Sequence, residues 1–279
     1  MPFEDGRLAL RDGRTLAWRT WGRQSDRAVV RLQGSAGSRL ARGPNPLESK
    51  LRLVMCDRPG LGGSSRLPGR RLSVVADDLA ELLDFLEMES APVVARSAGG
   101  PHGLAFAANH PERVQSLVIV SGGCHVTPEE RAGMVAANAR LAEVLDQGWE
   151  AVRDYLATLG RAMTSAGTRA VVTDAPESDR MRRDATSQSA DLANRREALR
   201  RGVDGWADET VAITGEWDFD LSDVVVETHW WHGSEDTTVP LAAARRLVAL
   251  LPNCRLHVVE GRGHLLDSAP ILASIGQQT

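Results

Sequence analysis

Three side chains far apart along the chain, Ser97, Asp236 and His264, are of the types that together can activate a hydroxyl and open an acyl bond. Ser97 lies in Ala95-Arg96-Ser97-Ala98-Gly99, directly after the apolar run 91–94 and directly before a helix-like segment near Pro101. A serine on so tight a strand-to-helix turn has its hydroxyl thrust out above the sheet. The residues two before and two after it are squeezed between strand and helix and must be small, as Ala95 and Gly99 are. The usual pattern is GxSxG, so Ala95 departs from it by one methyl, which a slight shift of the helix would accommodate. Asp236 stands in the segment Trp230 to Pro240, which follows Val224 to Val226 and reads as a strand end opening into a polar loop, where an α/β sheet presents catalytic groups. His264 follows the β-type run 256–259 in the glycine-flanked loop Glu260-Gly261-Arg262-Gly263-His264. In such a set the imidazole takes the serine proton, and the acid fixes its tautomer and stabilises the imidazolium.

The elements that must position these groups alternate. Strands are expected over 7–10 and 15–20, joined by the hairpin signal Asp12-Gly13, and then over 28–32 and 51–56. Val75, Leu79, Leu82, Leu83 and Leu86 recur at helical spacing over 74–88, leading to a strand over 91–94, a helix over 101–108 and a strand over 115–120. Strands alternating with crossover helices imply an α/β fold with a doubly wound, mostly parallel sheet. From 125 to 222 the alternation stops and the chain becomes helical, charged and rich in alanine and arginine. Thr127-Pro128-Glu129-Glu130 has the N-cap, N1 proline and first-turn acids of a helix start. The expected organisation is a core built from 1–124 and 223–279, with 125–222 inserted as a helical cap.

The chain resembles α/β-hydrolase fold enzymes along its length, with the order Ser, Asp, His that this family uses. Arg31-Leu32-Gln33-Gly34-Ser35-Ala36-Gly37-Ser38 resembles the family's HGxPGS oxyanion loop, and Asp57-Arg58-Pro59-Gly60-Leu61-Gly62-Gly63-Ser64 its DxPGxGxS turn. Ser97-Ala98-Gly99-Gly100-Pro101-His102-Gly103-Leu104-Ala105 looks like the SGGGPxALA bacterial hydrolases. The resemblance implies an inserted helical cap over the triad, Asp236 rather than its neighbour Glu235 as the acid, and an oxyanion hole made by the backbone N–H groups of Ser35 and Ala98. It departs at Gln33, where the family usually has histidine; the amide can still bridge loops but does not titrate.

The implied activity is a serine hydrolase acting on a carboxylic ester or related acyl bond of a small molecule. Acyl transfer, thioester release or lactone formation, triad-dependent lyase or C–C hydrolase chemistry, and a ligand binder without catalysis stand as alternatives. Arg96 either holds a substrate anion or pairs with a protein carboxylate. Trp206, Trp217 and Phe219 could line an acyl pocket or simply pack at the junction. The arginines at 180, 182, 183, 195, 196, 200 and 201 could meet an anionic substrate, but interleaved with Asp179, Asp184, Asp191 and Glu197 they read rather as the solvated side of cap helices. The histidines other than His264 read as packed or hydrogen-bonded.

Composition sets outer limits. The 279 residues suit one sheet plus an insertion, and 42% hydrophobic content suffices for a buried sheet. A net charge of -4 offers no basic field for nucleic acid, and Lys50 is the only lysine beside many arginines, which reads as genome composition. Cys56, Cys124 and Cys254 are odd in number, without CxxC or metal-ligand spacing, and neither HxH nor HExxH occurs, so no metal and no cofactor are expected. No leader-like segment and no membrane span is legible, which points to a cytoplasmic protein.

Overall fold

Strands β4 (Leu51–Cys56), β5 (Ala91–Arg96) and β6 (Val114–Val120) are buried on both faces almost throughout, as strands are when helices cover a sheet from two sides. A computed structural model describes residues 2–42, 50–123, 125–131, 133–181, 185–267 and 271. With β1 (Phe3–Ala9), β2 (Thr15–Trp21), β3 (Arg27–Leu32), β7 (Thr228–Gly233) and β8 (Cys254–Val259), these strands form one eight-stranded sheet in the order β1-β2-β4-β3-β5-β6-β7-β8. β1–β2 and β2–β4 pair antiparallel; every other neighbouring pair is parallel. The period of two in each strand splits the core: Val30, Leu32, Val54, Val93, Ala95 and Leu117 belong to one apolar cluster, and Val29, Leu53, Met55, Val94 and Val118 to another that includes Leu266 and Ile271.

α1 (Leu72–Phe85), α2 (Gly99–Asn109) and α8 (Leu241–Val248) contribute to the first of these clusters. Between β6 and β7 the chain makes α3 (Ala136–Leu145), α4 (Trp149–Ala166), α5 (Glu177–Met181), α6 (Ala185–Ala198) and α7 (Asp204–Thr214). This insertion has its own apolar centre, which takes in Ala36 and Leu61 from the loops after β3 and β4. The insertion and the loop after β3 therefore pack together. Among the described residues no helix is long and apolar enough to cross a membrane.

Local expectations shifted where distant residues intervene. α1 begins at Leu72, two residues before the apolar periodicity starts, because Asp218 accepts from the N–H groups of Leu72 and Ser73 and so caps it from 146 positions away. The strand before Asp236 is Thr228–Gly233, and 224–226 lies outside it; Trp230 and His232 face the interior as β7 alternates. The helix expected from Thr127 does not form. Thr127 and Glu130 do make the reciprocal capping contacts, but Arg246 binds the Glu130 carboxylate, the chain turns at Gly133, and the next helix starts at Ala136. Cys124, Arg182, Arg183 and Asp184 lie outside the described residues.

Candidate active site

The turn between β5 and α2 holds Ser97 at φ 50°, in the left-handed region that ordinary side chains avoid. It is clamped there: the Ser97 N–H donates to Val120 O at 3.0 Å, and its carbonyl accepts from Gly100 N at 2.8 Å and Gly123 N at 2.7 Å. A Cβ on Gly99 would come within 2.5 Å of Leu32 O, so that position is closed to larger residues. The extra methyl of Ala95 is accommodated by α2 itself, which presents Gly103 opposite; a Cβ there would stand 2.8 Å from the Ala95 Cβ and 3.1 Å from Leu117. Gly103→Ala is accordingly expected to cost about 1–3 kcal/mol of stability. Most of that loss should return in the Ala95→Gly, Gly103→Ala double variant, as urea unfolding would measure; purely additive losses would refute the compensation.

His264 reaches the serine from the loop after β8, with Nε2 3.0 Å from Ser97 Oγ and Nδ1 2.8 Å from Asp236 Oδ2. Asp236 Oδ1 accepts from the N–H groups of Thr238 and Val239 at 2.8 and 2.9 Å, while Glu235 beside it is exposed. Burial works to raise the Asp236 carboxyl, but the His264 ring and these hydrogen bonds prevail and hold it below its ordinary value. His232 stands 3.3 Å from the same carboxylate, donates from Nε2 to Val239 O and accepts the Trp230 indole N–H on Nδ1. Burial pushes its pKa down, in keeping with a neutral ring that braces the aspartate.

The insertion grips this constellation at two places that the sequence did not advertise. Asp179, on α5, is buried, and its two carboxylate oxygens accept from His264 N at 2.9 Å and Leu265 N at 2.7 Å, while Ser178 Oγ accepts from Gly263 N. On the opposite side, Arg195 donates to Ser35 O and Ala36 O at 2.7 and 2.6 Å, and Asn194 Oδ1 accepts from Ser38 N. The expectation of a solvated charged face is thus corrected: Asp191 is tied to Thr168 and Arg195, Glu197 to Arg39, and Arg200 and Arg201 to the carbonyls of Gly62 and Ser64. Arg180, Arg196, Arg200 and Arg201 are nonetheless exposed, Arg196 donating to Thr164 O, so the solvated reading holds for these four and fails for Asp179, Asp191, Arg195 and Glu197.

Beneath the same loop lies a fully buried group of charges. Glu209, on α7, pairs with Arg58 through Nε and, at 3.1 Å, through Nη2; it also meets Arg70 Nη2 at 3.2 Å and His102 Nε2 at 3.6 Å. Arg58 in turn donates to Gln33 O at 2.6 Å, and Gln33 Nε2 donates to Cys56 O at 2.8 Å, the loop bridge expected of that amide. The Glu209 carboxyl is held far below its usual range, because its cationic neighbours outweigh a large burial penalty. Burial drives His102 down to about 4 despite Glu209. A histidine depressed on folding binds its proton later than the unfolded chain does. It therefore removes stability as pH falls from 6.5 towards about 4, by up to about 3 kcal/mol. His102→Gln should flatten that part of the stability curve; an unchanged slope in urea titrations would contradict it.

These elements enclose a cavity of about 760 Å³ lined by Ser97, His264, Ser35, Ala98, Arg96 and Trp206, together with aliphatic residues of the insertion such as Leu141, Leu159 and Met163. Among the described residues neither the Ser35 nor the Ala98 backbone N–H has a protein acceptor. Trp206 lines the cavity and donates its indole N–H to Ser35 Oγ at 2.6 Å. Trp217 and Phe219 are the correction: they stack on each other at 5.4 Å over the core and border a separate surface depression. Arg96 lines the cavity but is already engaged within the protein. His125 is exposed, unlike the buried His102 and His232. Among the described residues, no group of three or more His, Cys, Asp or Glu side chains is arranged to hold a metal.

The family model of the alpha/beta hydrolase fold matches residues 28–266. The Caulobacter protein RutD, named for carbamate hydrolysis, is 29% identical over 249 residues, covering 87% of this chain and 86% of its own. The 2-hydroxy-6-oxo-2,4-heptadienoate hydrolase of Pseudomonas putida is 29% identical over 224 residues, covering 76% and 71%. An esterase from a Rhodococcus species superposes with TM-score 0.68 over 100% of both chains at 19% identity, a likeness of fold.

Proposed function

We propose that this chain, which belongs to the alpha/beta hydrolase fold family and is an enzyme of it, is a serine hydrolase cleaving a small-molecule carboxylic ester or related acyl bond. The observation that carries the reading is the continuous hydrogen-bond line from Ser97 Oγ through His264 to Asp236. His264 Nε2 takes the hydroxyl proton as Ser97 Oγ bonds to the acyl carbon, and the carbonyl electrons move onto oxygen. The N–H groups of Ser35 and Ala98 receive that oxyanion; losing one such donor costs on the order of 3 kcal/mol of transition-state stabilisation. His264 then returns the proton to the leaving oxygen, and the acyl group stays on Ser97. Water deprotonated by His264 attacks the ester, and the acid departs as Ser97 Oγ recovers its proton. The insertion over 125–222 acts as the cap that shapes the acyl pocket.

A second reading, hydrolysis of a carbon–carbon bond next to a ketone, draws support from the dienoate hydrolase among the relatives. A panel of 4-nitrophenyl esters of graded acyl length, a thioester, an anilide and a 2-hydroxy-6-oxo-dienoate separates the two. Turnover of esters, rising with chain length until the aliphatic cavity is filled, supports the first; turnover of the dienoate alone supports the second. An inert panel would remove both.

A further inference from the structure

The cavity above Ser97 is largely aliphatic, yet five arginines reach its wall: Arg31, Arg42, Arg96, Arg131 and Arg195. Their situations differ. Arg195 is committed to Asp191 and to the carbonyls of Ser35 and Ala36, and Arg31 and Arg96 are engaged within the protein. Arg42 and Arg131 are half-buried, and each buries an Nε that meets no acceptor among the described residues, where neither joins an ion pair; the Arg42 guanidinium lies over the Trp21 ring, 5.6 Å from its centroid, which leaves Arg131 the less engaged of the two. The acids on the same wall leave nothing over for them: Asp179 is filled by the backbone of His264 and Leu265, Asp191 by Thr168 and Arg195, and Asp267 is engaged.

A buried donor without an acceptor is unfavourable, and a guanidinium cannot escape by losing its proton as a lysine would. Two such half-buried groups on the wall of one mostly apolar cavity favour an anion that arrives from outside. We propose that the cavity contains a carboxylate subsite, with Arg131 as the direct partner and Arg42 as a second source of positive potential, so that the acyl substrate is itself an acid. This rests on the serine-hydrolase reading and adds the charge of its substrate. A carboxylate suits the planar fork of one arginine. The selectivity for anions considered at Arg96 thus moves to residues whose Nε has no protein acceptor among the described residues.

Two experiments test it. The 4-nitrophenyl monoester of glutaric acid and its methyl-capped neutral analogue are compared by kcat/KM. The wild type should favour the free acid at least tenfold, Arg131→Gln should collapse that ratio mainly through KM, and Arg131→Lys should keep part of it. A ratio near one in the wild type, or the same ratio in Arg131→Gln, would overturn the subsite. Binding gives an arm independent of turnover: hexanoate, and not hexanamide, should raise the melting temperature of the wild type, and the rise should vanish in Arg131→Gln. Equal shifts from acid and amide, or none from either, overturn the proposal even where the neutral ester is hydrolysed. Failure of every ester together with an intact hexanoate response would instead strike the hydrolase reading.

Discussion

Replacing His264 with alanine is expected to lower ester turnover on the order of 10⁶-fold, as loss of the base does when serine, histidine and aspartate act as one unit. Ser97 Oγ would lose the Nε2 that stands 3.0 Å away, its one side-chain hydrogen-bond partner among the described residues. Ser97→Ala should fall as far, and adding it to His264→Ala should lower the rate little further, because the second change removes a group already disabled. Asp236→Asn leaves the shape intact but offers His264 the wrong hydrogen-bonding partner; on the order of 10⁴-fold is expected. Stopped assays on one activated ester check all four proteins. Strictly multiplicative losses would mean that the three groups do not work together.

Glu209→Ala is expected to destabilise the fold by about 3–5 kcal/mol, since removing one member of a buried ion pair leaves its partners charged and unmet. Arg58 and Arg70, both fully buried, would be the stranded groups. The consequence reaches catalysis through Arg58, which holds Gln33 O and Gly34 O and so fixes the loop that carries the Ser35 N–H. A displaced oxyanion donor lowers kcat on the order of 10²-fold. Glu209→Gln, assayed well below its melting temperature, separates the effects: kcat should drop more than KM changes. Because the Glu209 pKa is lowered on folding, its contribution is present above the ordinary carboxylate pKa and is lost as pH falls towards the folded value. An unaltered urea midpoint and unaltered kcat in Glu209→Gln would refute the role of α7 as a support for the oxyanion loop.

What could be read from the chain alone was whatever is encoded locally. The elbow around Ser97, the Asp236 loop and the His264 loop each carry their meaning within a few residues, because a tight turn restricts its neighbours to small side chains. The groups that hold those loops were not legible, since the pairing of Arg58 with Glu209 spans 151 positions and that of Asp179 with His264 spans 85. Charge pattern even misdirected: on a helix, acids and arginines in alternation look the same whether they meet water or another loop's carbonyls. Thr127 to Glu130 shows the complementary limit. Its capping contacts form, but a local cap cannot carry a helix through a turn at Gly133 once Arg246 has claimed the glutamate.

Intact-protein mass spectrometry after exposure to a fluorophosphonate tests the central claim most directly. A single adduct should form and map to Ser97, and none should appear in Ser97→Ala or, on the same time scale, in His264→Ala. A folded wild type that stays unmodified, or an adduct that persists in Ser97→Ala, would contradict an activated serine at this elbow.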